Sequence, residues 1–335
     1  MPGTKDNLMI DFLAGVSRRS LLIAALAAAP LAAQAWTTKP VHLVVPAPAG
    51  GTQDVVARIL SEAIAAEIGQ PVIVDNKPGA GGTIGLQALN SAAPDGQTLM
   101  FTASNVLTEV PLVLKTRFDP AKDVKPITMA ARASMVLVAA PGVPAANVKE
   151  LVAYLKTATG QAKSCASYSP GTSSHYACMI FAKQAGLDLQ HIPFAGSPPA
   201  LQNLMGNQVS IMFDGLATSL PQIKAGKIKV LGVAAKTRLA QLPDVPTLAE
   251  QGYPDIDFSN WVGVIASSKV PDALIQKINA VVTKAASTPA VREKLLAHDF
   301  IPAVSASPAA LAKDTRLEYE RNAQIVKSYD IKLNP

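Results

Sequence analysis

Short continuous apolar runs alternate with longer amphipathic stretches along most of the chain. Residues 41–45 read V-H-L-V-V, the pattern of a strand covered on both faces. Residues 52–68 follow with Val55, Val56, Ile59, Leu60, Ala63 and Ile64 apolar, close to the i, i+3, i+4 spacing of a helix. The same reading predicts strands at 71–74, 98–102, 124–131, 135–140, 163–167, 189–193, 209–213, 228–235 and 258–266. Helices are predicted at 83–92, 147–157, from the loop at 168–175 on to 184, and at 199–205, 216–225, 271–285, 290–296 and 308–328. Strands separated by helices imply an α/β fold with parallel sheets. Residues 132–134 form a plausible first crossover, and the Pro-rich stretch 242–254 leads to a second. The expected architecture is two parallel-sheet α/β lobes joined by two crossover strands. Lobe 1 comprises 36–132 plus 258–335 and lobe 2 comprises 133–257.

The N-terminus breaks the pattern. Ser17-Arg18-Arg19-Ser20 precedes an apolar run over 21–33 and an A-x-A site at 33–35. This describes an export signal over 1–35, cleaved after Ala35, with a twin-arginine look that leaves Tat and Sec routes open. The product is expected in a periplasm. At 335 residues, two domains are the prior; 49% hydrophobic and 16% charged residues describe a well-buried globular chain. The formal net charge is +6, of which the leader supplies one unit. The basic residues are scattered, without the aromatic–basic alternation of a nucleic-acid surface.

Candidate chemistry collects after the strands. The first loop, P-A-P-A-G-G-T-Q-D over 46–54, offers Ala49, Gly50, Gly51, Thr52 and Asp54 between a strand and a helix start. Such a turn aims backbone N–H groups and the positive end of a helix dipole at an anion, with Thr52 suited to cap the helix. A plain βα turn remains the alternative for this stretch alone. Ser104 and Asn105 follow the third strand. Ser169, Gly171, Thr172 and His175 belong to a second hydroxyl- and glycine-rich loop, where Thr172 or Ser173 is placed to cap. Phe194 and Ala195, then Phe213 and Asp214, end two further strands. In this reading Phe194 and Phe213 flank a ligand, while Asp54 and Asp214 orient loops or waters.

Other chemistries find less support. Gly79 to Gly85 is spaced G-x-G-x-x-x-G, not as a dinucleotide fingerprint, and is read as close helix packing or a cleft rim. His42, His175, His191 and His298 are the four histidines, and none is spaced as a metal pair. No cofactor or metal is expected. His191 in its apolar strand is read as a satisfied core histidine. Cys165 and Cys178 are left as either a disulfide or buried free thiols. An exported hydrolase using Asp214 or His175 is the alternative from another class, although neighbouring Ser174 and His175 point apart on a helix.

Several motifs together carry a resemblance to a known family. They are P-V-I-V-D-N-K-P-G-A-G-G over 71–82, A-P-D-G-Q-T-L over 93–99, S-P-G-T-S-S-H over 169–175, H-I-P-F-A-G-S-P over 191–198, G-N-Q-V-S-I-M-F-D over 206–214 and L-P-D-V-P-T over 242–247. As a set they resemble the solute-binding receptors of tripartite tricarboxylate transporters, the TctC or Bug type. The resemblance implies a type II-like periplasmic binding protein fold closing on a di- or tricarboxylate or an aromatic carboxylate. Two pincer loops, here 48–54 and 169–175, would hold one carboxylate through N–H groups, hydroxyls and waters. The absence of arginine from these loops agrees with that. It also implies a permease of the same transporter type as partner, a monomeric receptor and no nucleic acid. A sensory receptor presenting its closed form to a sensor kinase shares the same sequence features.

Overall fold

The computed structural model describes residues 36–116 and 118–332, so the expected leader over 1–35 and its cleavage site lie outside the described residues. In chain order the first part holds β1 (Val41–Val45), α1 (Thr52–Ile68), β2 (Val72–Asn76), α2 (Thr83–Ser91) and β3 (Thr98–Ala103). Three short helices follow, α3 (Asn105–Thr108), α4 (Val110–Val113) and α5 (Pro120–Asp123), and then β4 (Val124–Ala133). The middle part holds β5 (Met135–Ala139), α6 (Val148–Thr157), β6 (Ser164–Ser167), α7 (Ser173–Ala185) and β7 (Gln190–Pro193). It continues with α8 (Ser197–Met205), β8 (Ile211–Gly215), α9 (Leu216–Lys224) and β9 (Lys229–Val233). The last part holds β10 (Asn260–Ser267), α10 (Asp272–Ser287), α11 (Pro289–Ala297), β11 (Ile301–Pro302) and α12 (Pro308–Tyr329).

Two α/β sheets result, as expected. One is ordered β11-β4-β10-β3-β1-β2 and the other β7-β6-β8-β5-β9. Both are mixed rather than wholly parallel. β1, β2 and β3 pair in parallel, but β10 runs against β3 and β4. In the second sheet β6 pairs in parallel with β7 and β8, while β5 runs against β8 and β9. β5 and β10 are the strands that arrive from the other sheet, with no crossover helix to turn the chain round. Ser134 alone separates β4 from β5, and the return passes from β9 through 234–259 into β10.

Each sheet has its own core. Val41, Leu43, Val45, Leu60 and Ile64 pack with Val264 and Ile278 in the first, and Leu137, Phe181, Phe213 and Leu231 pack in the second. α12 belongs to both. Leu311 near its start joins a cluster with Trp261 and Ile265 of β10. Its other end sets Ile325, Val326, Tyr329 and the following Ile331 against the second core. There the Lys183 ammonium donates to the Ser328 carbonyl at 2.9 Å, and the Gln184 amide donates to the Tyr329 hydroxyl at 2.9 Å.

Cys165 of β6 and Cys178 of α7 are joined as a disulfide, with Cα atoms 6.2 Å apart. It fastens the second-lobe helix whose N-terminus is described below to the sheet beneath it. A loop of this size constrains the unfolded chain by about 3 kcal/mol. Cys165→Ala with Cys178→Ala is therefore expected to lower the urea midpoint and to raise m slightly, because the unfolded chain without the bridge is more expanded. A midpoint equal to that of the oxidised wild type would contradict this.

Candidate functional site

A cavity of about 320 Å³ lies between the two sheets, walled by loops from both. Its floor is the pair of crossings, with Ala133, Ser134 and Met135 on one and Phe258, Asn260 and Val262 on the other. One side carries Pro46, Pro48, Gly51, Thr52 and Gln53, with Gly79, Ala80, Gly81 and Gly82 beside them. The facing side carries Tyr168, Ser169, Pro170 and Thr172, then Phe194, Ala195, Gly196, Ser197 and Gly215. Among the described residues, no Asp, Glu, Lys, Arg or His is part of this wall.

What replaces charge is backbone. The N-cap residues of α1, α2, α7, α8 and α9 are Gly51, Gly82, Thr172, Gly196 and Gly215, and every one lines the cavity. None of these residues caps its helix with a side chain. Three of the other four helices of nine or more residues are capped by a side chain, those starting after Asn147, Thr288 and Ser307. The positive dipole ends of five helices thus converge on one space, which is an arrangement that attracts anions. Pro198 and Pro199 nonetheless leave α8 few N–H groups to offer, and the Ser173 and Ser174 N–H groups of α7 already face Glu109 and Tyr168.

The capping expected of Thr52 and Thr172 is not found. Thr52 is the first helical residue, one position past the N-cap, and the Thr172 hydroxyl donates to the Ser169 carbonyl at 2.7 Å. Both residues line the cavity, as do Gly51, Asn105, Ser169, Phe194 and Ala195. Ala49 and Gly50 are exposed and outside the wall. Asp54 is buried beneath its loop, where Oδ2 accepts from the Gly50 N–H and from Arg58 Nε, each at 2.9 Å, and Oδ1 accepts from Asn76 Nδ2 at 2.9 Å. Burial pushes this carboxyl up, but Arg58, Gly50 and Asn76 together hold it below its ordinary range. Its loop is fixed by that carboxylate.

The remaining candidates lie behind the wall. The Ser104 hydroxyl donates to Glu318 at 2.6 Å. Gly171, at φ +75°, sends its N–H to Nδ1 of His175 at 3.2 Å, so that ring nitrogen is unprotonated. His175 stacks on His191 at 4.0 Å, and Nε2 of His191 sits 2.7 Å from the Ser167 hydroxyl. Burial pushes His175 down to about 3, with His191 adding to it, and pushes His191 down to about 4. Phe213 is fully buried in the second core, edge-on to Phe181 at 6.0 Å. Asp214 is the fourth residue of β8, fully buried, and accepts from Thr218 at 2.7 Å, Ser219 at 2.8 Å and Ser197. Burial raises this carboxyl and the three hydroxyls oppose the rise. Asp214 therefore sits directly behind the cavity residue Ser197 and ties the starts of α8 and α9 together. The Ser174 hydroxyl is committed to the Phe213 carbonyl.

Sequence reading missed the floor of the cavity, Ser134, Met135, Phe258, Asn260 and Val262, because apolar and small polar residues near a crossover carry no chemical signature. It also missed Tyr168, Ser197 and Gly215, and it named Pro48 only as the start of a pincer loop. The H-I-P-F-A-G-S-P motif pointed at Ser197, one residue beyond the glycine. The glycines at 79–82 form part of the wall, as the cleft-rim reading held.

Contact between the lobes is tight. A Cβ added at Gly196, where φ is +123°, would meet Pro48 at 2.3 Å, and one at Gly215 would meet the Thr52 hydroxyl at 2.7 Å. The lips of the cavity therefore close glycine against side chain.

The sequence model of the tripartite tricarboxylate transporter family receptor, TctC, matches residues 56–331. Protein BugT of Bordetella pertussis is 31% identical over 308 residues, covering 91% of this chain and 94% of BugT. MatC of Rhodopseudomonas palustris, solved with bound malate, superposes with a TM-score of 0.80 at 29% identity, covering 86% of this chain and 99% of that one. A second R. palustris protein, solved with adipate, superposes with a TM-score of 0.84 at 27% identity, covering 89% and 99%.

Proposed function

This chain belongs to the tripartite tricarboxylate transporter receptor family, and from that premise we propose that it captures a small carboxylate in the cavity and hands it to a membrane permease of that transporter type. Family and fold are those of periplasmic binding proteins. The carboxylate is held by N–H groups at the opening of α1 and by the Thr172 N–H ahead of α7, with the hydroxyls of Thr52 and Ser169 and that of Thr172 once it turns from the Ser169 carbonyl, and Phe194 bears on its body. Closure of lobe 1 (36–132 with 258–335) on lobe 2 (133–257) completes the site, and only the closed form is presented to the permease. The receptor acts as a monomer in the periplasm after cleavage behind Ala35.

One observation carries this reading: five helix starts without side-chain caps meet around a cavity that, among the described residues, has no cationic side chain in its wall. Malate and adipate, the acids bound by two related structures, are the natural first probes. Thermal unfolding is followed with malate, adipate, citrate and benzoate, each beside its neutral amide. An acid present at a hundred times its Kd adds about 2.7 kcal/mol to stability, and its amide is expected to add none. Equal shifts from acid and amide would refute recognition of the carboxylate.

The hydrolase alternative needs Asp214 or His175 at the ligand. Both are buried behind the wall, with the Asp214 oxygens taken by three hydroxyls and Nδ1 of His175 taken by the Gly171 N–H.

A further inference from the structure

Glu109 has no part in the binding scheme above, yet it is a fully buried acid at the meeting point of the two lobes. It lies between α3 and α4, on the first-lobe side. Ser173, the first residue of α7 in the second lobe, sets its Oγ 2.8 Å from one carboxyl oxygen of Glu109 and 2.7 Å from the other. Asn260 Nδ2 donates to the same Oγ at 2.6 Å, and the Tyr176 hydroxyl donates to the Glu109 carbonyl at 2.9 Å. A serine hydroxyl has one proton to give and two lone pairs to receive. Asn260 occupies one lone pair and the hydroxyl proton serves one carboxyl oxygen. The second carboxyl contact is satisfied when the acid itself carries a hydrogen and donates it to Oγ.

We propose that Glu109 is a protonated latch across the hinge: closing the lobes buries its carboxyl against Ser173, and the proton is taken from solvent as they meet. The proposal rests on the lobe-closure reading and not on the identity of the ligand. When α7 moves away with its lobe, the carboxyl regains water and ionises as an ordinary glutamate does.

The surrounding charges are few. α12 contributes Glu318, which accepts from Ser104 at 2.6 Å and Thr108 at 3.2 Å, and the cation Arg321. The second lobe contributes only the phenols of Tyr168 and Tyr176, and β10 contributes the uncharged Asn260. Burial pushes Glu109 up most strongly. The Ser173 hydroxyl opposes this, Glu318 adds to it, and Arg321 and the Ser173 N–H oppose it, leaving the acid at about 8 against a usual 4.5. A carboxyl raised in this way gives stability that is complete below pH 4.5 and is lost as pH rises through about 8. Alkaline pH therefore favours the open lobes.

The test uses the ligand-free receptor, so it stands apart from any failure of the carboxylate panel. Small-angle scattering at pH 6 and pH 9 is compared for wild type, Glu109→Gln and Ser173→Ala, with thermal unfolding from pH 5 to pH 9. Wild type is expected to have a smaller radius of gyration at pH 6 than at pH 9. Glu109→Gln, whose amide both donates and accepts, is expected to keep the compact dimension at both. Its melting temperature should match wild type at pH 5 and exceed it by pH 9. Ser173→Ala, which removes the latch's partner hydroxyl but leaves the acid buried on closure, should be less compact than wild type at pH 6 and should still open further at pH 9, because burial and not the hydroxyl raises the acid. Superimposable scattering of wild type and Glu109→Gln at both pH values would overturn the latch. So would a difference in melting temperature that does not change with pH.

Discussion

Gly215→Val is expected to leave the receptor folded and to weaken binding of its acid by at least about a hundredfold, roughly 2.7 kcal/mol. Gly215 ends β8 with φ −65° and ψ 138°, a conformation any residue adopts, so the substitution introduces no backbone strain. What it introduces is volume at the lip. A Cβ there would stand 2.7 Å from the Thr52 hydroxyl and 3.6 Å from its methyl group, across the gap between lobes. Thr52 is β-branched, short and fixed at the start of α1, so it has little room to yield. The lobes must stay apart instead, and α1 and α7 no longer reach the ligand together. Calorimetry on the acid giving the largest wild-type thermal shift measures the effect, and unfolding of the ligand-free variant checks the fold. Wild-type affinity in a folded Gly215→Val protein would mean that the ligand does not require these lips to meet. Gly196 would be a poorer choice, since its φ of +123° makes any side chain there strained in the open form as well.

Asp214→Ala has the largest expected cost to stability. Its carboxyl is fully buried and accepts hydroxyls from Ser197, Thr218 and Ser219. Removing it takes an acceptor from three hydroxyls, the buried Ser197 and Ser219 and the half-buried Thr218, which still has the Gly215 carbonyl at 2.9 Å. Hydrogen bonds to such groups contribute about 1.5–3 kcal/mol each when charge is involved. Because the three are not additive, the expected loss is roughly 4–5 kcal/mol. For a chain of this size that lowers the melting temperature by about 6–8 °C. Asp214→Asn, which keeps one carbonyl acceptor, should recover more than half of it. An alanine variant that melts with wild type would show that the hydroxyls find other partners and that Asp214 does not hold α8 and α9 in place.

Much of the fold could be read in the sequence, because each strand is a short apolar run ended by glycine or a small polar residue. The reading of α1, for instance, depended on Ile59, Leu60 and Ile64 recurring on one face, and those three are buried in the first core. Direction was harder. β5 and β10 look like their parallel neighbours in composition, and only the missing helix before each reveals that it runs the other way. At the site, the sequence showed which loops carry glycine and hydroxyl groups but not which side of a strand end faces the gap. Phe213 and Asp214 illustrate this. Both stand at a strand end beside the right loop, yet one turns into the core and the other beneath Ser197. The disulfide was undecided for the same reason, since a separation of thirteen positions says nothing about how a helix lies on its sheet.

The C-terminal helix has a kinetic consequence. Two strands alone would let one half of the receptor both swing and twist about the other. A rigid rod anchored to both halves, at Leu311 on one and at Ile331 beyond its end on the other, turns that pivot into a three-point suspension. Twisting is then resisted and swinging remains, so every closure returns the same rims to the same alignment.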